Sequence, residues 1–192
     1  MADARAILLT SRALQVVLQE ELSVLSIPAG QIKIESLDLL PDPVPPPRIT
    51  IFLFNVHENP YLKNQPHEIT RGADGKADVI PPPIVLDLDY MICAWAATTD
   101  EEHQLLGDIV RVLHDNPEID AARLGPSWRA DEAVQISLNN PSIEEQARIW
   151  TTFGFKRFKL SLYYKVRTVP IESKRRSGER LVLDVEPRLK AL

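Results

Sequence analysis

The chain has 192 residues, of which 44% are hydrophobic and 26% charged, and its formal net charge is −5. This size and apolar fraction suit one globular domain with a sizeable core. The single cysteine, Cys93, excludes an internal disulfide, and no run approaches the roughly 20 apolar residues of a membrane-spanning helix.

The charge is distributed unevenly. Of the 22 Lys/Arg and 27 Asp/Glu residues, 11 and 4 fall in residues 156–192, which leaves 11 and 23 in the rest of the chain. A basic C-terminal part could bind nucleic acid or dock on a complementary protein surface. Because the basic residues are not interleaved with a recognisable nucleic-acid motif, we do not expect a nucleic-acid partner.

The N-terminal segment predicts a helix over about Ala4–Leu22, capped by Asp3. Its apolar stripe could pack in the core or dock on a neighbouring subunit, and the sequence leaves both open. A short strand, Gln31–Leu37, follows. Five prolines between Pro41 and Pro47 then predict polyproline geometry. We interpret them as a stiff connector, with a ligand for a proline-binding domain as the alternative.

The stretch Arg48–Pro66 combines a strand with a sharp turn. Its first half is dense in Ile, Phe, Leu and Val, which is typical of a strand covered on both faces. The dipeptides Asn59-Pro60 and Gln65-Pro66 then break the pattern and predict a polar loop. Residues 67–83 predict a second, mobile loop, in which the calcium-loop spacing is absent.

Ile84–Ala97 is the strongest strand pattern. One of its faces is apolar throughout, whereas the other begins with Asp87 and Asp89 and then becomes apolar. The two aspartates could form a general acid/base pair. We favour a solvated or salt-bridged strand face, because exposed acidic residues are common. The four histidines have no partners at metal-ligand spacing and are interpreted as structural or surface residues.

The second half of the chain alternates between helix and strand. The pattern first predicts a helix that begins at Thr98, Thr99 or Asp100 and ends at about Asp115. A strand, Ala133–Asn139, follows, and then a helix that is capped by Asn140 or Ser142 and ended by Gly154. The last predicted strand is Lys156–Val169, which Pro170 interrupts. The tail has a turn at Ser177-Gly178 and a β-prone segment, Leu181–Val185. This segment either forms a hairpin on the chain's own sheet or adds a strand to a neighbour's sheet.

These elements predict an α+β fold: five to six strands in a mainly antiparallel or mixed sheet, with three helices packed mostly on one side. We expect one domain over residues 1–170 and a C-terminal arm or hairpin over 171–192. The sequence has no GxSxG, no glycine-rich phosphate loop, no HExxH and no cysteine cluster. We therefore expect no catalytic residue, no cofactor and no metal.

An ordered set of motifs resembles a known family. The set comprises the turn VHENPYLKNQP within residues 48–66, the run Pro81-Pro82-Pro83, the segment Leu86–Tyr90 and the helix that runs from Glu101 to Pro117. It resembles the cap, or tail-terminator, family of extracellular contractile injection systems, with a Pvc16 N-terminal-like domain and a phage tail-terminator-like fold. These are phage-tail-like particles such as antifeeding prophages and the Photorhabdus virulence cassettes. The match in order covers the chain from its first helix to about Val169.

The resemblance implies a structural role rather than an enzyme. It implies a hexameric ring that closes the distal end of the inner tube and sheath, with the chain itself, the tube protein and the sheath protein as partners. Assembly in the bacterial cytoplasm, followed by release with the particle, is expected, and the chain lacks a convincing signal peptide. The alternatives are an adaptor or baseplate protein of the same particle, and a small hydrolase using Asp87, Asp89 and a histidine.

Exposure and charge predict three contact segments, at 59–65, 69–80 and 174–192. Their candidate interface residues are Asn59, Tyr61, Lys63, Asn64, Arg71, Asp74, Lys174, Arg175, Arg176, Arg180, Leu181, Leu183 and Val185.

Overall fold

The computed structural model describes residues 4–22, 27–71, 77–154, 157–173 and 177–179. In chain order its elements are α1 (Ala6–Leu22), β1 (Ile32–Ile34), β2 (Arg48–Glu58), β3 (Glu68–Arg71), β4 (Ala77–Ile80), β5 (Ile84–Trp95), α2 (Thr99–Asp115), β6 (Glu118–Asp120), α3 (Ala121–Leu124), β7 (Ala133–Asn139), α4 (Ile143–Thr151), β8 (Ser161–Ile171) and β9 (Ser177–Glu179).

Six strands form the main sheet in the order β1-β2-β5-β8-β7-β6. Strand β1 runs parallel to β2, and every other neighbouring pair is antiparallel. The sheet is therefore mixed, and the predicted α+β class is confirmed. The edge strands β1 and β6 have only three residues each, which leaves little unpaired backbone for another chain to pair with.

The first face of the sheet carries the larger core. Leu88, Tyr90 and Ile92 of β5 are fully buried there, under α1, α2 and α3. The hydroxyl of Ser11 on α1 donates to the carbonyl of Ile7 at 3.0 Å and lies 2.8 Å from the hydroxyl of Tyr90. Since the proton of Ser11 is used within the helix, Tyr90 donates to Ser11 and ties α1 to the middle of β5.

The second face of the sheet has a smaller, aromatic core at one end. Met91 and Cys93 of β5 pack there with Tyr163 of β8 and with Trp150 and Phe153 at the end of α4. The aromatic rings meet edge to face; for example, the centroids of Phe52 and Phe153 lie 5.3 Å apart. Of the helices in the described residues, one thus packs on this face and three on the other.

Two helices begin where the capping residues predict. Thr98 accepts a hydrogen bond from the backbone of Glu101, whose carboxylate accepts one from the backbone of Thr98, so that α2 begins with a capping box. Ser142 and Glu145 repeat this arrangement at the start of α4. Each box satisfies two backbone donors that the first helical turn would otherwise leave unpaired.

Two β-bulges flank the aspartates of β5. Leu53 pairs with Tyr90 but Asn55 pairs with Asp89, so Phe54 is an extra residue on β2. On the other side Leu86 pairs with Val169 and Leu88 with Val166, so two residues of β8 oppose Asp87. One of them, Thr168, has φ = 63°, in the left-handed region that a β-branched residue rarely adopts. Beyond the bulge on β2, Asn55 and His57 project to the same face as Asp89 and Asp87.

Several predicted boundaries are wrong. The expected loop 67–83 contains the hairpin strands β3 and β4, which β9 extends to a three-stranded sheet. Strand β8 begins at Ser161 instead of Lys156 and continues through Pro170, which pairs with Val85. Proline is tolerated at strand ends because few ladder bonds remain there. Strand β6 and helix α3 had no recognised signal, and the helix cap Asp3 lies outside the described residues.

The proline segment also differs from expectation. The peptide bonds Asp42-Pro43 and Pro46-Pro47 are cis, whereas polyproline II is built from trans bonds. Every residue from Pro41 to Pro47 except Val44 is exposed. The segment connects β1 to β2 along the surface of the protein.

Replacing Tyr90 with phenylalanine should change how stability depends on pH. Burial raises the pKa of Tyr90 to about 12, so the neutral phenol stabilises the fold fully below about pH 10, and this contribution is lost as the pH rises towards 12. Tyr90→Phe should cost about 1 kcal/mol at neutral pH through the lost hydrogen bond. Between pH 10 and 12 its free energy of unfolding should fall less steeply than that of the wild type, measured by urea unfolding.

Ser11→Ala is the matched control for this comparison. It removes the same hydrogen bond but keeps the phenol, so it should lose stability at neutral pH and retain the steep alkaline decline. Parallel stability curves for the wild type and Tyr90→Phe would contradict the assignment.

Candidate interaction site

A buried polar cluster lies on the second face of the sheet, next to α4. Asp87 and Asp89 are each only 5% exposed, so the expectation of a solvated acidic face is wrong. The salt-bridged alternative agrees with the structure, because the amine of Lys165 lies 3.3 Å from Oδ1 of Asp89. The bulge on β2 and the pairing with β8 bring these residues together, and neither could be derived from periodicity.

His57 and Asn55 complete the surroundings of Asp89. Nδ1 of His57 lies 3.3 Å from Oδ2 of Asp89, and Nε2 lies 3.9 Å from Oδ2 of Asp87. The amide of Asn55 donates to Oδ2 of Asp89 at 3.0 Å. Within the described ranges no group of three or more His, Cys, Asp or Glu side chains is arranged to hold a metal ion.

Asn59 joins this cluster to the loop 59–65. Its backbone N–H donates to the carbonyl of Val85 at 2.8 Å, and its side-chain amide donates to Oδ1 of Asp87 at 3.0 Å. Its own side-chain oxygen accepts from the backbone N–H of Tyr61 at 3.0 Å. Asn59 is 7% exposed, so the exposure that made it an interface candidate is absent, and its side chain holds the loop in place.

The loop presents Tyr61 at its tip. The Tyr61 side chain is 92% exposed, the highest value among the large hydrophobic residues that the structure describes. Lys63 and Asn64 are also exposed, and the amine of Lys63 lies 3.2 Å from Glu58 at the end of β2. A polar network therefore fixes the base of the loop, while an aromatic ring stands in solvent at its tip.

The other predicted interface residues are less completely placed. Arg71 is the last residue of β3, where the structure describes its backbone. The remaining candidates lie outside the described residues: Asp74, Lys174, Arg175, Arg176, Arg180, Leu181, Leu183 and Val185. The three predicted contact segments stay predictions.

A concave apolar surface lies at the other end of the central strands. This cavity of about 510 Å³, here called the proline pocket, is lined by Ile27, Pro46, Pro47, Ala96, Ala97, Glu101, Gln104, Leu105 and Asp108. Its volume is within the range of pockets that hold ligands or side chains of a partner. Sequence reasoning missed it because its lining comes from three separate segments of the chain.

The single cysteine, Cys93, is buried and has a structural role. Burial raises the pKa of Cys93 to about 11, which keeps this thiol protonated and unreactive at neutral pH.

None of the described helices is long and apolar enough to cross a membrane.

Comparisons with known proteins find one matching family and solved structures that share this fold. The model of the Pvc16 N-terminal domain family matches residues 9–184. Among solved structures, the PVC sheath/tube terminator of an extracellular contractile injection system, in its extended state, superposes with a TM-score of 0.67. It is 19% identical, and the match covers 97% of this chain and 64% of that one. The anti-feeding prophage tube-terminating cap has a TM-score of 0.58 and 21% identity, with 83% of this chain and 56% of that chain covered.

These likenesses to solved structures show a shared fold. The chain spans less than two thirds of the length of either solved relative. A search of curated proteins finds no match. The family model covers nearly the whole sequence, and the chain belongs to the Pvc16 N-terminal domain family.

Proposed function

We propose that this protein is a structural cap, or tail terminator, that closes the distal end of the tube and sheath of a contractile injection system. The observation that carries the proposal is the family match over residues 9–184, supported by a common fold with a sheath/tube terminator along 97% of the chain. The cap acts by occupying the end of the polymer, so that no further tube or sheath subunit can add. Such a role requires complementary surfaces rather than a reaction centre.

The proposed assembly is a ring of six copies. A closed ring needs a heterologous interface, in which two different patches of each subunit meet. The inner tube protein and the sheath protein are the other proposed partners. Assembly takes place in the bacterial cytoplasm, and the cap then remains part of the particle when the particle is released.

Removing the gene from the producing bacterium should abolish length control. We expect particles with longer and more variable tubes, measured by electron microscopy, because no subunit stops tube growth. Supplying the wild-type chain from a plasmid should restore the narrow length distribution. Tubes of normal length that instead lack a component or a cargo would contradict the cap and favour an adaptor role.

The tail is proposed to act as an arm that joins a neighbouring sheet. The short strand β9 pairs Ser177–Glu179 with β4 in antiparallel register, so Glu179 lies beside Ala77, the first residue of β4. Leu181–Val185, the β-prone segment, follows directly. Strands β3 and β9 already occupy both edges of β4, so this segment is proposed to pair with the sheet of a neighbour.

Truncation after Glu179 should show that the arm is needed for assembly but not for folding. The shortened chain keeps β9 and should unfold at nearly the wild-type urea concentration, but particles that carry it should lose sheath attachment or length control. Truncation after Ile171, which also removes β9, is the companion variant. Normal assembly with both truncations would rule out the arm.

The polar cluster favours a second candidate, a small hydrolase using Asp87, Asp89 and His57. To test it, Asp87→Asn with Asp89→Asn removes both carboxylates. In the cap model the double variant should lose about 2 kcal/mol or more of stability, because buried partners are left unpaired. It should still control tube length wherever it accumulates to wild-type amounts.

A second variant separates chemistry from structure. Asp89→Asn with Lys165→Gln removes the ion pair as a unit, so it should be more stable than Asp89→Asn alone. An enzyme would be equally inactive in both variants. Loss of function in a fully stable variant, or a stoichiometric metal in the purified chain, would favour the hydrolase.

A further inference from the structure

The paired strands β2 and β5 carry a protruding loop at one end and the proline pocket at the other. The loop 59–65 follows the last residue of β2 and is hydrogen-bonded to Val85 near the start of β5. The proline pocket includes Pro47, which precedes β2, and Ala96, which follows β5. Since β2 has 11 residues, the protruding loop and the pocket are roughly 30 Å apart.

We infer that Tyr61 of one copy of this chain inserts into the proline pocket of the next copy. This inference deepens the proposed function, because it names the contact that would build the ring. A contact between two different patches at opposite ends of a subunit is head-to-tail, and repeating it generates a ring when the rotation closes.

The loop is suited to be the inserting element because it is held before binding. Asn59 fixes its base through three hydrogen bonds: to Val85, to Asp87 and from the backbone of Tyr61. A loop that is already ordered loses little conformational entropy on association. Tyrosine is enriched among residues that dominate interfaces, because its ring buries a large apolar area and its hydroxyl can still form a hydrogen bond.

The pocket is suited to receive an aromatic ring. Its wall is mostly apolar, with Ile27, two prolines and Leu105, and Gln104 and Asp108 supply polar groups for a phenol hydroxyl. Prolines lack a backbone N–H, so burying Pro46 and Pro47 leaves no donor of theirs unpaired. The cost of covering this wall is therefore low.

Charge favours the same orientation. Lys63 follows Tyr61 closely along the chain, whereas Glu101 and Asp108 border the pocket. Lys63 already lies near Glu58, and Asp108 lies 3.8 Å from Arg111, so these charges orient the approach more than they add affinity. A second copy of this chain thus offers both the shape and the charge that the pocket accepts.

Cross-linking of the full-length chain tests the contact directly. Asn64→Cys and Gly107→Cys place thiols beside the loop tip and beside the pocket, both on exposed residues outside the pocket lining, whereas the native Cys93 is buried. With a short bis-maleimide, the double-cysteine chain should give a ladder of covalent multimers, both as purified protein at high concentration and in isolated particles. Each single-cysteine chain is the control and should stop at background dimers. A ladder in neither sample would overturn the inference.

Two variants that disable opposite halves of the contact give a sharper result. Tyr61→Ala removes the ring, and Ala97→Trp fills the pocket. In the cysteine background each should reduce cross-linking about tenfold or more when tested alone. A one-to-one mixture of the two should yield a dimer of one copy of each and nothing larger, since only one intact pair of surfaces remains. Tyr61→Phe should retain the full ladder.

The control for surface hydrophobicity is Leu39→Ala, which shortens another exposed side chain (77% exposed) and should leave the ladder unchanged. A full ladder with Tyr61→Ala, or multimers longer than dimers in the mixture, would contradict the contact. The inference and the proposed function fail separately. Normal tube-length control without any ladder overturns the contact alone, whereas a ladder from a chain whose deletion leaves tube length unchanged overturns the cap alone.

Discussion

Strand β5 has to be buried on both faces, and most of the structure follows from that requirement. Its residues alternate between two apolar sets, Leu88, Tyr90 and Ile92 on one side and Met91 and Cys93 on the other. Strands β2 and β8 satisfy its backbone on either edge. Helices must then cover both faces, since an exposed face of this length would leave a large apolar area in water.

The second face changes character halfway along β5. At the Cys93 end it is an aromatic core under α4, and at the Asp87 end it holds charged and amide groups. Isolated carboxylates could not be buried there without partners, because desolvation would cost more than packing returns. The bulge on β2 solves part of this problem by shifting the side chains of that strand, so that Asn55 and His57 face the aspartates. Lys165 pairs with Asp89 in the regular register of β8. The same network extends through Asn59 to the loop that carries Tyr61.

Local patterns predicted the elements of this fold better than their contacts. The capping residues Thr98 and Ser142 and the alternation of β5 and β7 predicted these elements because the signals are local. The hairpin β3–β4 was missed because its strands have only four residues each, too few for alternation to be distinguished from a loop. The polar cluster was missed for a different reason. An extra residue on one strand reverses every face assignment beyond it, and the sequence around Phe54 has no sign of that insertion.

The position of β8 in the main sheet has a consequence for synthesis of the protein. Strand β5 begins at residue 84, but β8, which pairs with its second edge, ends only at residue 171. Strand β7 joins the sheet only through β8. Pairings so distant in sequence carry a high loop-closure entropy and form slowly. On the ribosome, β5 therefore waits with one edge unpaired until β8 has emerged. Translation itself sets the earliest moment at which the protein can present its folded surfaces to a partner.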